Sequence, residues 1–273
     1  MRRGASRYGE RRQPASRRQT AERHTAEPQS PGRQSSGHPR AVRLLPVSLR
    51  LPAAALLAGC VIVTVLLGIA FAGQRHAGRL DTAIDTPVKS ALDGFPWLLK
   101  ILDITGTLIP VTLLTLALVL ACVVTRRWSG AILAAVATPA ASALTEGALK
   151  PLVDRTMGGA LSFPSGHATS MFALAGTCAV LLLDPPGHRI TGAVRLMLAS
   201  LALLAATAVA VAMVARGSHY FTDAVAGTAV GTGTVLACAL ILDRLWPDPP
   251  SPDPPGPDRP ARREPAARPA TGG

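Results

Sequence analysis

Phe163-Pro164-Ser165-Gly166-His167 stands at the head of one long apolar run, and Arg216-Gly217-Ser218-His219-Tyr220-Phe221-Thr222-Asp223 joins two others. Lys150-Pro151-Leu152-Val153-Asp154-Arg155 lies just upstream of the first. Cations, two histidines and a carboxylate at the ends of membrane segments are costly to keep there without a use. A lysine, an arginine and accessible Ser/Gly backbone positions suit a phosphate. Two histidines and an aspartate suit its covalent transfer.

Six apolar runs frame these stretches, at about 51–73, 106–125, 129–148, 167–184, 195–215 and 221–242. A span needs roughly 20 apolar residues to cross about 30 Å of hydrocarbon. The third and fourth runs are Ala-rich, which suits helix–helix contact better than lipid contact. The first run is too far from the start for a cleaved signal peptide. The fold class is therefore all-α, a six-transmembrane-helix bundle. Segment 81–102, with mixed polarity and Trp97, reads as one or two short helices at the interface. It serves as a lid, a lipid-entry element or a plain connector.

Apolar residues are 48% of the chain and charged residues 16%. Residues 1–50 hold twelve arginines against three glutamates, and 247–273 are rich in Pro, Arg and Asp. Neither can bury enough surface to offset chain entropy, so both are expected to be disordered tails around a membrane domain at 51–246. The basic arm reads as a cytoplasmic tail beside anionic lipid rather than a nucleic-acid binder. Cys60, Cys122, Cys178 and Cys238 fall in four different apolar runs, so neither a disulfide nor a zinc site is expected. The bias toward Ala, Arg, Pro and Gly is that of a GC-rich bacterial genome, hence a plasma-membrane protein.

With six spans, the N-terminal arm, Arg126-Arg127, the loop from His188-Arg189 to Arg195 and the C-terminal tail share one side. The positive-inside rule places that side in the cytoplasm. Both histidine-bearing stretches then share the outer face.

Lys150 and Arg155, five residues apart at a helix end, are expected to reach one anion. Ser165, Gly166 and His167 lie where a loop meets a helix start, which offers free N–H groups and a positive dipole end. Arg216 adds a further cation. His219 and Asp223 are four apart. On a helix they share a face, so that Asp223 holds one ring nitrogen and leaves the other free to attack phosphorus. His167 then protonates the leaving oxygen.

The order Lys…Arg, Pro-Ser-Gly-His, His-x-x-x-Asp resembles the type 2 phosphatidic acid phosphatase superfamily of integral membrane lipid phosphatases, which is related to soluble acid phosphatases and vanadium haloperoxidases. The resemblance covers about 146–231, and the six-helix membrane form about 51–242. It implies Lys150, Ser165 and Gly166 on the phosphate, His167 as acid, His219 as the nucleophile that forms a phosphohistidine, and Asp223 orienting it. It implies no metal and no cofactor. Two positions depart from the family pattern: the Arg-Pro seven and eight residues after the lysine is Met157-Gly158 here, and the arginine six residues before the last histidine is Met213. Arg155 and Arg216 are the neighbouring cations expected to stand in. The expected function is hydrolysis of a lipid phosphate or diphosphate at the extracytoplasmic face, with the substrate lipid and the bilayer as partners and no nucleic acid. A lipid-dependent phosphotransferase and a non-catalytic scaffold are the alternatives.

Overall fold

The structure, a computed structural model, describes residues 43–183 and 191–245. Nine α-helices of very unequal length account for most of these residues. Helix α1 (Val47–Phe71) is followed by two short helices, α2 (Arg79–Leu92) and α3 (Pro96–Thr105), then α4 (Leu108–Val124) and α5 (Trp128–Leu144). A π turn (Thr145–Leu149) extends α5 into the single turn of α6 (Lys150–Val153). A two-stranded antiparallel hairpin (β1, Thr156–Met157; β2, Ala160–Leu161) precedes α7 (Gly166–Leu183), α8 (Gly192–Ala215) and α9 (Phe221–Leu245).

Five of these helical stretches are long and apolar enough to cross a membrane. The pair α3–α4, bent by 56° at Gly106-Thr107, is long and apolar enough only when its two helices are taken together, which gives five spans or six among the described residues. The chain is a multi-pass membrane protein, as the six apolar runs imply. Large apolar side chains such as Leu51, Ile69, Leu108, Ile109, Leu120, Leu196 and Leu204 face outward, where hydrocarbon takes the place of water.

Helix–helix packing in lipid gains little from hydrophobic burial, so it relies on close backbone approach. The centre of the bundle follows that rule. α7 and α9 lie side by side, with α5 against both, α1 on α9, α8 on α7 and α4 on α5. Gly227 and Gly231 form a Gly-x-x-x-Gly step on α9. A Cβ on Gly227 would come within 2.5 Å of the Ser165 carbonyl, and one on Gly231 would strike the Thr169 carbonyl and Ala173 N. Ala131, Leu133, Ala137 and Ala141 of α5, Ala173 and Val180 of α7, and Val235 and Ala239 of α9 fill the rest.

The lead-in to α1 departs from the expected boundary at residue 50. Leu44 and Leu45 are buried, and their N–H groups donate to the Asp243 carboxylate at 2.8 and 3.1 Å. Arg50 reaches the same carboxylate at 3.4 Å. An apolar dipeptide that can bury against the last turn of α9 and satisfy its N–H groups there is not part of a solvated tail. The remaining expectations for the tails fall on 1–42 and 246–273, outside the described residues. Segment 81–102 does form two short helices, α2 and α3, packed on α8.

Candidate active site

Three stretches converge at one end of the bundle: the turn from α6 into the hairpin, the N-terminus of α7, and the turn between α8 and α9. The ring centroids of His167 and His219 are 6.4 Å apart. Lys150 lies 3.9 Å from the point a Cβ on Gly166 would occupy, and its Nζ pairs with Glu146 at 2.8 Å, one turn back along the π segment. Such π turns recur at functional sites because they re-aim the residues that follow. Arg216 caps the C-terminus of α8, and its Nε stands 3.3 Å from Asp103. The other oxygen of Asp103 is 3.5 Å from His167 Nε2. The α3–α4 bend permits this contact: a Cβ on Gly106 would fall 2.7 Å from His167 Cδ2.

α7 begins at Gly166, as the loop-to-span boundary implies. Ser165 is fully buried. Its N–H donates to the Asp223 carbonyl at 3.0 Å, and its Oγ accepts from Ala168 N–H at 3.4 Å as a helix cap. The N–H groups of Gly166 and His167 have no acceptor among the described residues, and beside them lie Lys150 and the Glu146 carboxylate, whose Oε1 is 2.5 Å from the point a Cβ on Gly166 would occupy.

His219 is oriented differently from the helical His/Asp stack expected. α9 starts only at Phe221, so His219 lies in the preceding turn rather than on the helix. Its Nδ1 is 2.9 Å from the Ser162 carbonyl and 3.9 Å from Asp223 Oδ2. A carbonyl only accepts, so in the neutral ring Nδ1 carries the proton and Nε2 keeps its lone pair. Asp223 spends its oxygens elsewhere: Oδ2 accepts from Tyr220 N–H at 3.1 Å and Oδ1 from Arg155 Nη1 at 2.6 Å.

Arg155 is likewise not where its spacing from Lys150 suggests. α6 ends at Val153, and Asp154 adopts a left-handed conformation (φ 51°) that turns the chain back under the site. The Arg155 side chain is 0% exposed. It pairs with Asp223 and, at 2.5 Å, with Asp81 of α2, between the rings of Phe71 and Tyr220 at 4.2 and 4.3 Å. Of the cations expected on phosphate, the cleft holds Lys150 and Arg216 but not Arg155. Met213, at the position of the family's arginine, is fully buried against Leu99 and Ala212.

Asp81, Asp85 and Asp103 were not singled out by motif. Their only signal is spacing: Asp81 and Asp85 are four apart on one face of α2. Asp81 accepts from Thr222 N–H at 3.0 Å and Thr222 Oγ1 at 2.8 Å, and Asp85 from Phe221 N–H at 3.0 Å. Burial pushes the Asp81 carboxyl up, but the bonds from Thr222 and Arg155 outweigh it and hold it below its usual range. At Asp85 burial wins, aided by the neighbouring charges of Asp81 and Asp223, and its carboxyl is raised despite the Phe221 bond and Lys89. Among the described residues no group of three or more His, Cys, Asp or Glu is placed to hold a metal ion.

The chain is similar to a solved structure described as a transmembrane PAP2-type phosphatidylglycerolphosphate phosphatase from Bacillus subtilis, at 19% identity over 67% of this chain and 93% of that one, with a TM-score of 0.54. At that identity the likeness speaks for the fold. No curated protein matches the chain. The PAP2 superfamily model matches residues 51–247, which take in both short helices, the π turn and the two histidine-bearing turns. With a match over more than half its length, the chain belongs to the PAP2 superfamily.

Proposed function

We propose that the protein is a membrane phosphatase that removes the phosphoryl group of a lipid phosphate or diphosphate at the extracytoplasmic face through a phosphohistidine. One observation carries the reading: two histidines 6.4 Å apart, one with a free Nε2, share a cleft with a lysine and the open N-terminus of α7. The phosphate sits with its oxygens on Lys150, Arg216 and the N–H groups of Gly166 and His167. Phosphoryl transfer asks little of a protein beyond positioning and charge. His219 Nε2 attacks phosphorus as the bond to the lipid oxygen breaks. His167 gives that oxygen its proton and leaves as the neutral base. It then takes a proton from water, whose oxygen attacks phosphorus and frees His219 and inorganic phosphate. Asp223, beside His219, offsets the positive charge its ring gains when phosphorylated.

The substrate's amphiphilic nature is supported by the site's place at a span end. An apolar groove of about 310 Å³ between α1, α5 and α9, lined by Leu57, Val61, Leu144, Leu149 and Val230, rises to the residue before Lys150. The positive charges at the opposite end, Arg126-Arg127 and Arg50, support an outward-facing site.

The test is phosphate release by detergent-purified protein from phosphatidic acid, phosphatidylglycerol phosphate and a polyprenyl diphosphate, with and without a chelator. Release that persists with chelator and is lost in His219→Ala is expected. No release from any of the three would overturn the reading. Transfer of phosphate to an added lipid alcohol in preference to water would make the protein a phosphotransferase.

A further inference from the structure

We infer that Asp81 and Arg155 are positioning residues for His219, so that helix α2 is part of the catalytic centre; the inference rests on the phosphatase reading above. His219 is held from two directions, and both lead to Arg155. Its Nδ1–H donates to the Ser162 carbonyl, and Ser162 N–H donates in turn to the Arg155 carbonyl at 2.8 Å. Its turn is also closed by Asp223, whose Oδ1 is gripped by the Arg155 side chain at 2.6 Å. One residue thus fixes the group that sets the histidine's tautomer and the carboxylate beside it.

Arg155 is fixed by α2. Asp81 takes Arg155 Nη2 together with the N–H and hydroxyl of Thr222, and the Thr222 hydroxyl also receives Arg155 Nη1 at 2.7 Å. Asp85, one turn on, takes Phe221 N–H. The first-turn N–H groups of α9 have no acceptors in their own helix. Here α2 supplies acceptors for the N–H groups of Phe221 and Thr222 across the fold, and the turn carrying His219 cannot shift without breaking these bonds.

The charge arrangement has a mechanistic reason. A guanidinium paired with Asp223 alone would cancel that carboxylate. With Asp81 on the other side of Arg155, the three-group cluster keeps a net negative charge next to His219. The ring needs it when the N–P bond forms and the P–O bond breaks, because the phosphorylated imidazole with its Nδ1 proton retained is cationic. Arg155 and Asp81 touch neither substrate nor reacting atoms.

The test uses the full chain in detergent, with Arg155→Lys, Asp81→Asn and the near-isosteric Thr222→Val beside wild type. Phosphatidic acid labelled in its phosphate reports turnover and phosphoenzyme formation. Nitrogen-15 histidine spectra, with His219 identified by difference against His219→Gln, report its tautomer independently of activity. Arg155→Lys and Asp81→Asn should each lower kcat roughly 10- to 100-fold with KM within about threefold, as loss of a charge-assisted contact predicts. The fixed Nδ1–H signature should give way to a tautomer mixture. Thr222→Val should show a smaller loss of the same kind and serves where the charged-site variants fail to fold. Guanidinium ion should restore kcat to Arg155→Ala, and sodium at equal ionic strength should not.

A raised KM with unchanged kcat in Arg155→Lys would show that Arg155 binds phosphate and would overturn the inference. Wild-type kcat and an unchanged His219 spectrum in all three variants would overturn it equally. A wild-type protein that releases no phosphate from any lipid tested sinks the phosphatase reading instead, while the spectra still decide whether Asp81 and Arg155 hold His219.

Discussion

His219 directs an unprotonated Nε2 into the cleft because a carbonyl, which can only accept, claims the proton on Nδ1. Replacing this residue by alanine should lower turnover by roughly 10⁴-fold or more, as expected for a nucleophile, and should abolish acid-labile phosphate labelling. His167→Ala should cost about 10²–10⁴-fold with an alkyl leaving group but much less with an activated aryl phosphate, which needs no acid. Equal losses on both substrates would remove His167 from the acid's role. Arg216→Ala should weaken transition-state contact by about 2–4 kcal/mol, read as a drop in kcat/KM. The histidines and Lys150 were legible from motif order, because loop-to-span boundaries place them at one end whatever the details. Arg155 was not. Its inward turn depends on the left-handed Asp154, and no local pattern in Lys-Pro-Leu-Val-Asp-Arg announces that reversal.

At the scale of elements, α2 holds the start of α9 through two carboxylates of opposite character. Asp81 is depressed in the folded protein, so its stabilisation is complete above the ordinary carboxyl pKa of about 3.9 and is lost as pH falls through the lower, folded value. Asp85 is raised, so its ionised form is a cost to folding. That cost is absent below the unfolded pKa, grows as pH rises toward the folded value and persists above it. Asp85 also buries one oxygen with no partner among the described residues. Asp85→Asn, which keeps an acceptor for Phe221, should therefore raise Tm at pH 8, whereas Asp81→Asn should lower it. Thermal unfolding of the two variants at pH 8 decides, and a lower Tm for Asp85→Asn would contradict this account. Gly227→Ala drives a methyl into the Ser165 carbonyl and should cost about 1–3 kcal/mol along with activity. Five of the apolar runs foretold their spans to within about five residues, while the second, at 106–125, covers only α4 of the bent α3–α4 pair. The role of α2 was hidden, because acceptors for another helix's N–H groups look in sequence like ordinary surface charge.

For the whole molecule, charge at the two ends sets orientation. Single cysteines at Ala160, on the exposed hairpin, and Gly192, at the start of α8, should react with an impermeant thiol reagent from opposite sides of intact cells, and labelling from one side would refute the six-span arrangement. Deleting residues 1–40 should leave stability in detergent unchanged, while deleting 1–46 should lower it, since Asp243 loses the Leu44 and Leu45 donors. That latch bears on how the protein is made. Among the described spans α1 is made before the others, yet its main packing partner is α9, made after them. It must wait in the bilayer while the intervening helices are inserted. The start of α9 is in the same position, since Asp81 and Asp85 are synthesised early and the Thr222 and Phe221 they hold come late. A nascent chain short of α9 therefore lacks the main partner of α1, and that face stays open to whatever in the membrane recognises unfinished proteins.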